Sequence, residues 1–169
     1  YQPDQGEIFV NGDKVLIRNV NESAKYGIGF VHQELNVLDN LTVAENVFLG
    51  REPKSFGFLV DRKKMNADAD IYLKRLGLDI SPKILLGELS IAQQQMVEIA
   101  KALSLNAKIL ILDEPTSSLT LTETEKLLSV IKDLRNQGVS IIYISHRLGE
   151  IKEIADRVDM APSVLSALY

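Results

Sequence analysis

Residues 87–115, GELSIAQQQMVEIAKALSLNAKILILDEP, decide the fold of this 169-residue chain. Ser90 and Gln93 fit the S/T-x-x-E/Q pattern of a capping box, which satisfies free backbone N–H groups at the start of a helix. The pattern therefore predicts that Ser90 caps a helix that runs to about Leu103.

The second half of this stretch predicts a buried strand that ends in two carboxylates. Residues 108–112, KILIL, form an apolar, β-branched run, which is typical of a strand covered on both faces of a parallel sheet. Asp113 and Glu114 follow at its carboxyl end, where open α/β sheets place their ligands. Pro115 has no backbone N–H and ends the strand.

The composition is that of an ordinary globular domain, with 46% hydrophobic and 25% charged residues. The net charge of −4 gives no electrostatic argument for nucleic acid as a partner. Because there is no cysteine, disulfides and thiolate metal sites are excluded, which suits a cytosolic protein. No apolar segment approaches the roughly 20 residues that span a bilayer, so we expect any attachment to a membrane to run through a protein partner.

Upstream, the sequence predicts a strand-rich part followed by a helical part. Asn-Gly at 11–12 predicts a hairpin between strands 7–10 and 14–17, and a short strand at 28–32 precedes Gln33. The helical part is predicted from a Thr42–Glu45 capping box that opens a helix, a loop over 50–57, and an amphipathic helix over 61–76 that Gly77 ends.

Downstream, the sequence predicts a βαβ unit. After a loop over 116–120, Thr122 and Glu125 can cap a helix, and residues 139–144 form a second apolar strand that leads to His146. A strand–helix–strand order favours parallel strands and a right-handed crossover. We therefore expect Asp113, Glu114 and His146 along one edge of the sheet.

Four segments of the chain carry a family resemblance: HQELNVLDNLTVAENVFLGRE (32–52), LSIAQQQMVEIAKALS (89–104), LDEPTSSLT (112–120) and YISHRLGEI (143–151). Together they resemble the ATP-binding subunits of ABC transporters, and most closely the first ATPase half of tandem proteins that import monosaccharides such as ribose, galactose or xylose. The resemblance implies an α/β fold of the P-loop NTPase type, with a mostly parallel sheet, an N-terminal antiparallel hairpin and a helical insert. Its parts would be an ATPase core (1–40 and 88–158), a helical subdomain (41–87) and an unmatched tail (159–169).

The resemblance also implies roles at the sheet edge. Asp113 corresponds to the Walker B aspartate, which holds Mg²⁺ through a water, and Glu114 corresponds to the general base. His146 corresponds to the switch histidine that contacts the γ-phosphate, and Gln33 to the glutamine that ligates Mg²⁺. Each has a plainer alternative: a cap, a solvated charge, a surface histidine and a loop glutamine. His32 has no such context and is expected to be structural.

Residues 90–93, which correspond to the family's signature motif and are called the signature residues below, also have two possible roles. Ser90 is fully explained as a helix cap, while the family resemblance adds a nucleotide-binding role for Ser90, Ile91, Ala92 and Gln93, directed at the γ-phosphate of the opposite subunit. Most members have glycines where Ile91 and Ala92 stand, and an aspartate where Thr120 stands. Ile91 adds bulk where the backbone would approach phosphate.

The family's phosphate-binding pattern, G-x-x-x-x-G-K-[ST], does not occur in this sequence. We therefore expect an incomplete ATPase domain, truncated at its N-terminus, that alone neither binds ATP tightly nor hydrolyses it. The missing segment would carry a central strand and its helix. Because their loss exposes apolar edges of residues 109–112 and of neighbouring strands, we also expect self-association or partial disorder.

The function implied for the intact protein is ATP hydrolysis that energises the import of simple sugars, on the cytoplasmic side of the cell membrane. ATP and Mg²⁺ would lie between two ATPase domains in a head-to-tail dimer, with the helical insert docked on transmembrane permease subunits. A sugar-binding protein would act indirectly. The alternatives are an ABC ATPase that works on DNA or ribosomes, which the acidic balance disfavours, and a non-catalytic remnant or interaction module.

Overall fold

The structure, a computed structural model, describes residues 6–159. In chain order its elements are β1 (Ile8–Val10), β2 (Asp13–Val15), α1 (Val20–Lys25), β3 (Ile28–Val31), α2 (Val43–Val47), β4 (Lys54–Ser55), β5 (Leu59–Val60), α3 (Arg62–Arg75), a 3-10 turn (Leu86–Glu88), α4 (Ile91–Leu103), β6 (Ile109–Asp113), α5 (Leu121–Asn136), β7 (Ser140–Ile144) and α6 (Leu148–Ile154). Residues 1–5, and all of the predicted tail except Asp159, lie outside the described residues.

The central sheet is parallel and has the strand order β3-β6-β7. Because Leu110 and Leu112 of β6 point toward α4 and α5, both are fully buried. β1 and β2 form a separate antiparallel hairpin around Asn11, whose φ of 54° is the left-handed conformation that an Asn-Gly turn requires. The predicted α/β class, parallel sheet and N-terminal hairpin are confirmed.

The other face of the sheet is largely exposed within residues 6–159, and Ile111 at its centre is half-buried. Phe30, Ile111 and Ile142 lie side by side across the three strands, and the side chains of Phe30 and Ile142 are 43% and 50% exposed. The prediction that the β6 strand is covered on both faces is therefore wrong for the described residues. We call this row of side chains the bare face.

The helical segment packs directly on α4 and shares its core. Val43 of α2, Leu73 of α3 and Ile99 of α4 are fully buried in one continuous cluster. The predicted capping box at Thr42 and Glu45 is confirmed, and α3 is capped by Asp61, whose carboxylate accepts a bond from the Lys64 N–H at 2.9 Å. No helix within residues 6–159 combines the length and apolarity that crossing a membrane requires.

Two local predictions fail, and one element was not predicted. The box that caps α5 is Thr120 with Glu123, not Thr122 with Glu125, because the helix begins two residues earlier and gains the bond from Thr124 N to Thr120 O. The predicted loop at 50–57 instead leads into the small β4–β5 hairpin. The sequence also gave no prediction of α6.

Candidate functional site

The carboxyl ends of β3, β6 and β7 meet at one edge of the sheet because the three strands are parallel. Glu114 follows β6 directly, and its backbone N–H donates to the carbonyl of Ile144 at 2.9 Å, one step beyond the last ladder pair. Its φ of 44° is left-handed, which is strained for a residue other than glycine. This backbone bend carries the Glu114 side chain toward the loops after β3 and β7.

The Glu114 carboxylate lies between two predicted site residues. Gln33 Nε2 donates to Oε2 at 3.3 Å, and His146 Nδ1 lies 3.1 Å from Oε1, where a protonated Nδ1 donates. The Glu114 side chain is 28% exposed and that of His146 is 70% exposed, so the group is open to solvent. The structure therefore brings Gln33, Glu114 and His146 together.

Asp113 is the last residue of β6 and is half-buried. Because side chains alternate along a strand, its carboxylate lies on the same side as Ile109 and Ile111, the side of the bare face. Within residues 6–159 no three His, Cys, Asp or Glu side chains form a cluster that could hold a metal. The donors at this edge, two carboxylates and an amide, fit Mg²⁺ bound by one or two protein oxygens together with phosphate and water.

The signature residues are divided between two clefts. Ser90, Ala92 and Gln93 line one of about 570 Å³ between the end of α3 and the helices α4 and α5. Ile91, 50% exposed, lines another of about 420 Å³ that Gln33 also borders. Among the described residues, no hydrogen bond links positions 90–93 to Glu114 or His146. Ser90 and Gln93 form the predicted capping box, with bonds of 3.3 and 3.0 Å.

A buried carboxylate that sequence reasoning missed connects the loops after β6 and β7. Glu150 of α6 is 7% exposed. It accepts hydrogen bonds from Thr116 Oγ1 at 2.9 Å, Tyr143 OH at 2.7 Å, Ser145 Oγ at 3.2 Å and Arg147 at 3.3 Å. Because Thr116 follows Glu114 by two residues and Ser145 and Arg147 flank His146, this network fixes the distance between the two loops.

The environment of Glu150 shifts two pKa values. Burial alone raises the pKa of the Glu150 carboxyl group, but the hydrogen bonds from Tyr143, Thr116, Arg147 and Ser145 outweigh it and the pKa lies below its usual value. Burial, assisted by the nearby carboxylate, raises the pKa of the Tyr143 phenol. The only sequence signal for this network is weak: Tyr143, in β7, and Ser145, just after β7, are polar residues two positions apart.

A second set of missed contacts ties the loop after Gln33 to α4. The backbone N–H of Asn36 donates to Glu98 Oε1 at 3.2 Å, and Lys101 Nζ donates to the Asn36 carbonyl at 3.2 Å. Glu98 is 5% exposed, and this burial raises the pKa of its carboxyl group. We call these two bonds the Asn36 clamp.

A family model and similar proteins of known name both relate this chain to ABC transporters. The family model described as ABC transporter matches residues 1–117. A putative ribose/galactose/methyl galactoside import ATP-binding protein of Agrobacterium fabrum is 58% identical over 158 residues, which are 94% of this chain and 31% of the relative. The ribose import ATP-binding protein RbsA 2 of Streptomyces coelicolor is 50% identical over 158 residues, 94% of this chain and 30% of the relative. The chain thus spans about three tenths of the length of these relatives.

Solved structures agree on the fold. A nucleotide-free ATP-binding cassette from an ABC transporter superposes with a TM-score of 0.79 at 24% identity, over 92% of this chain and 65% of that one. A dimeric cassette in a post-hydrolysis state, bound to ADP and Pi, superposes with a TM-score of 0.71 at 26% identity, over 90% of this chain and 68% of that one.

Proposed function

Because this chain belongs to the ABC transporter family, we propose that it forms part of the subunit that binds and hydrolyses ATP to drive an importer of simple sugars. The names of its relatives, which specify ribose and galactose import, support the sugar class. The observation that carries the proposal is the position of Glu114, held between Gln33 and His146 at the carboxyl edge of a parallel sheet.

Glu114 is proposed as the general base for attack of water on the γ-phosphate. The water oxygen forms a bond to phosphorus, the bond from phosphorus to the bridging oxygen of ADP breaks, and the water proton passes to the carboxylate. Its two hydrogen-bond partners occupy one oxygen each and restrict its rotation. The remaining lone pairs of the carboxylate are free to orient the water.

The two neighbours of Glu114 each keep a second functional atom. With Nδ1 of His146 turned toward Glu114, its Nε2 lies on the far side of the ring, where it can contact the γ-phosphate. With Nε2 of Gln33 bonded to Glu114, its Oε1 is left as an oxygen ligand for Mg²⁺. Asp113 supplies a carboxylate for the same ion. Bound Mg²⁺ would neutralise charge that develops on the phosphates.

The segment at 90–93 is proposed to contact the γ-phosphate held by a second ATPase domain in a head-to-tail dimer. Ser90 Oγ accepts the bond from Gln93 N–H, but its hydroxyl proton is still free to donate to an anion. The exposure of Ser90 and Ile91 suits a surface that meets a partner. One structural neighbour, a dimeric cassette bound to ADP and Pi, supports the dimer in this proposal.

The remaining partners are proposed from the same relatives. The helical part, residues 41–87, would dock on the transmembrane permease subunits at the cytoplasmic face of the cell membrane. A sugar-binding protein would deliver the substrate to the permease without contacting this chain. Nucleic acid has no proposed role, since the net charge is −4.

The proposal is tested by steady-state phosphate release and ATP binding in the natural gene product that contains this chain. Replacing Glu114→Gln removes the base while preserving the size of the side chain, so we expect kcat to fall about 100-fold or more with ATP affinity retained. Glu125→Gln, an exposed carboxylate on α5, is the matched control and should leave both unchanged. Absence of ATP hydrolysis by the unaltered protein, or full activity of the Glu114 variant, would overturn the proposal.

A further inference from the structure

The β4–β5 hairpin presents an apolar tip to solvent. Phe56, Phe58, Leu59 and Val60 are 88%, 75%, 55% and 45% exposed. Four large apolar side chains within five consecutive residues form a patch of the kind that soluble proteins normally bury or use for binding. We call residues 56–60 the hairpin tip.

The hairpin tip has a strained backbone and a fixed base. Phe56 has a φ of 51°, a left-handed conformation that Asn or Gly adopts more easily than an aromatic residue, and Gly57 follows with a φ of 83°. The base is closed by the bond from Asp61 N to Pro53 O at 2.7 Å, and Asp61 also caps α3. The chain therefore holds an aromatic ring at a strained turn on a rigid support, although a polar residue would be more stable there.

The charge around the hairpin tip is positive although the chain as a whole is acidic. Residues 51–64, REPKSFGFLVDRKK, contain five basic and two acidic residues, whereas the whole chain has a net charge of −4. Arg62 and Lys64 form ion pairs with Glu45 and Asp68, but no ion pair among the described residues involves Lys54 or Lys63. Lys54 lies opposite Val60 in the hairpin and is exposed, and Lys63 is exposed on the first turn of α3. Aromatic residues flanked by such cations are the composition of segments that bind the interface of an anionic membrane.

We propose that the hairpin tip inserts into the interfacial region of an anionic lipid membrane, with Lys54 and Lys63 contacting lipid phosphates. Two features favour lipid over a protein partner. Lysine is depleted at protein interfaces but suits lipid headgroups. The hairpin has seven residues, whereas each partner in a stable protein complex contributes roughly 20–30 residues to the interface. A shallow insertion of about 5–10 Å needs only such a tip.

The hairpin tip belongs to the helical part, residues 41–87, that is proposed to dock on the permease, and the lipid contact would add to that docking. It goes beyond the sequence-based expectation that attachment to a membrane runs only through a protein partner. It does not depend on ATP chemistry, because neither the hairpin nor its lysines contact Gln33, Glu114 or His146 among the described hydrogen bonds. A failed vesicle experiment would therefore leave the proposed function standing. Likewise, a failed ATP hydrolysis experiment would leave the proposed lipid contact standing.

The test is flotation of the natural gene product with extruded vesicles, in the absence of permease. One set contains phosphatidylcholine alone and the other contains about a third phosphatidylglycerol, an anionic lipid. We expect binding to the anionic vesicles, weak binding to phosphatidylcholine, and release by high salt. The double variant Phe56→Asn/Phe58→Ser should bind about tenfold less, and Lys54→Gln and Lys63→Gln about fivefold less each.

The controls separate lipid insertion from misfolding and from other surfaces. Leu121→Ser removes a leucine that is 82% exposed on a different element and should not change vesicle binding. Phe56→Asn suits the left-handed backbone, so the double variant should unfold at an equal or higher temperature. Equal binding of wild type and double variant would overturn the proposal. A second contradicting result is that the natural gene product binds purified permease but not vesicles, and that the double variant loses the permease binding. This would assign the hairpin tip to a protein partner.

Discussion

Glu150 is a residue whose importance lies in what it holds in place. Four side chains donate to its buried carboxylate, and they come from the loop after β6, from β7 and from the loop that carries His146. The hydrogen bond between His146 and Glu114 therefore depends on a carboxylate that touches neither of them. We assign Glu150 as a positioning residue.

Glu150→Gln should lower stability and turnover together. The amide cannot accept from all four donors, which leaves a buried donor unpaired at a cost of about 1–3 kcal/mol in the free energy of unfolding. Phosphate release should fall with little change in ATP affinity, since the loops that orient Glu114 and His146 loosen. Urea denaturation and steady-state kinetics measure the two effects. Glu153→Gln, which removes only a salt bridge with Lys132, should change neither by much.

The same residue predicts a pH dependence of stability. Because the folded-state pKa of Glu150 lies below its ordinary value of 4.5, its contribution is fully present above pH 4.5. The contribution is lost as the pH falls from there through the lowered folded-state pKa. Wild type should therefore lose more stability than Glu150→Gln over this acidic range in denaturant melts. Parallel pH profiles of the two proteins would contradict this.

Sequence reasoning was sufficient for the residues that follow the strands and insufficient for Glu150. Gln33, Glu114 and His146 come together because parallel strands end at one edge, a rule that needs only the strand positions. The Thr116–Glu150 bond joins residues 34 apart in the chain through α6, and no local pattern specifies it. The roles of the site residues stay predictions.

At the scale of elements, the start of α5 shows how one motif can be read in two registers. The segment T-L-T-E-T-E contains overlapping T-x-x-E patterns at Thr120 and Thr122. The choice between them depends on which start lets the helix pack, and here Leu127 and Leu128 are buried, each at 2% exposure. The β4–β5 hairpin was missed for a related reason, because Phe56 adopts a conformation that its residue type disfavours.

Two single substitutions distinguish the registers of α5. Thr120→Ala removes the side chain that accepts from Glu123 N and should cost about 1 kcal/mol of stability. Thr122→Ala, inside the helix and exposed, should be neutral or slightly stabilising because alanine is the better helix former. Urea midpoints of the two variants give the comparison directly. An equal or larger loss for Thr122→Ala would restore the register that the structure rejects.

At the scale of the whole molecule, the bare face is the main departure from a self-sufficient core within residues 6–159. The apolar row of Phe30, Ile111 and Ile142 runs across the full width of the sheet, while the opposite face is sealed by α4 and α5. Parallel sheets are normally covered on both faces. The apolar runs in the sequence predict the strands, but they do not predict which face of the sheet is covered by helices.

A polypeptide of these 169 residues should self-associate through the bare face. Sedimentation velocity should show species larger than a monomer that grow with concentration, since exposed apolar area of this kind drives association. Phe30→Thr with Ile142→Thr keeps strand propensity and should shift the distribution toward monomer without lowering the unfolding temperature by much. Leu121→Thr is the matched control and should leave the distribution unchanged. A monodisperse wild-type monomer would contradict the prediction.

The Asn36 clamp has a mechanical consequence. Leu38 is fixed as well, through two bonds to the buried side chain of Asn46 on α2, at 2.8 and 2.9 Å. The segment after Gln33 is thus held at Asn36 and at Leu38. Glu34 and Leu35 are the two residues that connect Gln33 to this held segment. A ligand that displaces Gln33 must bend this two-residue joint or pull α4 along with it. Movement of the loop that carries Gln33 would thus be transmitted to α4, the helix that Ser90 caps.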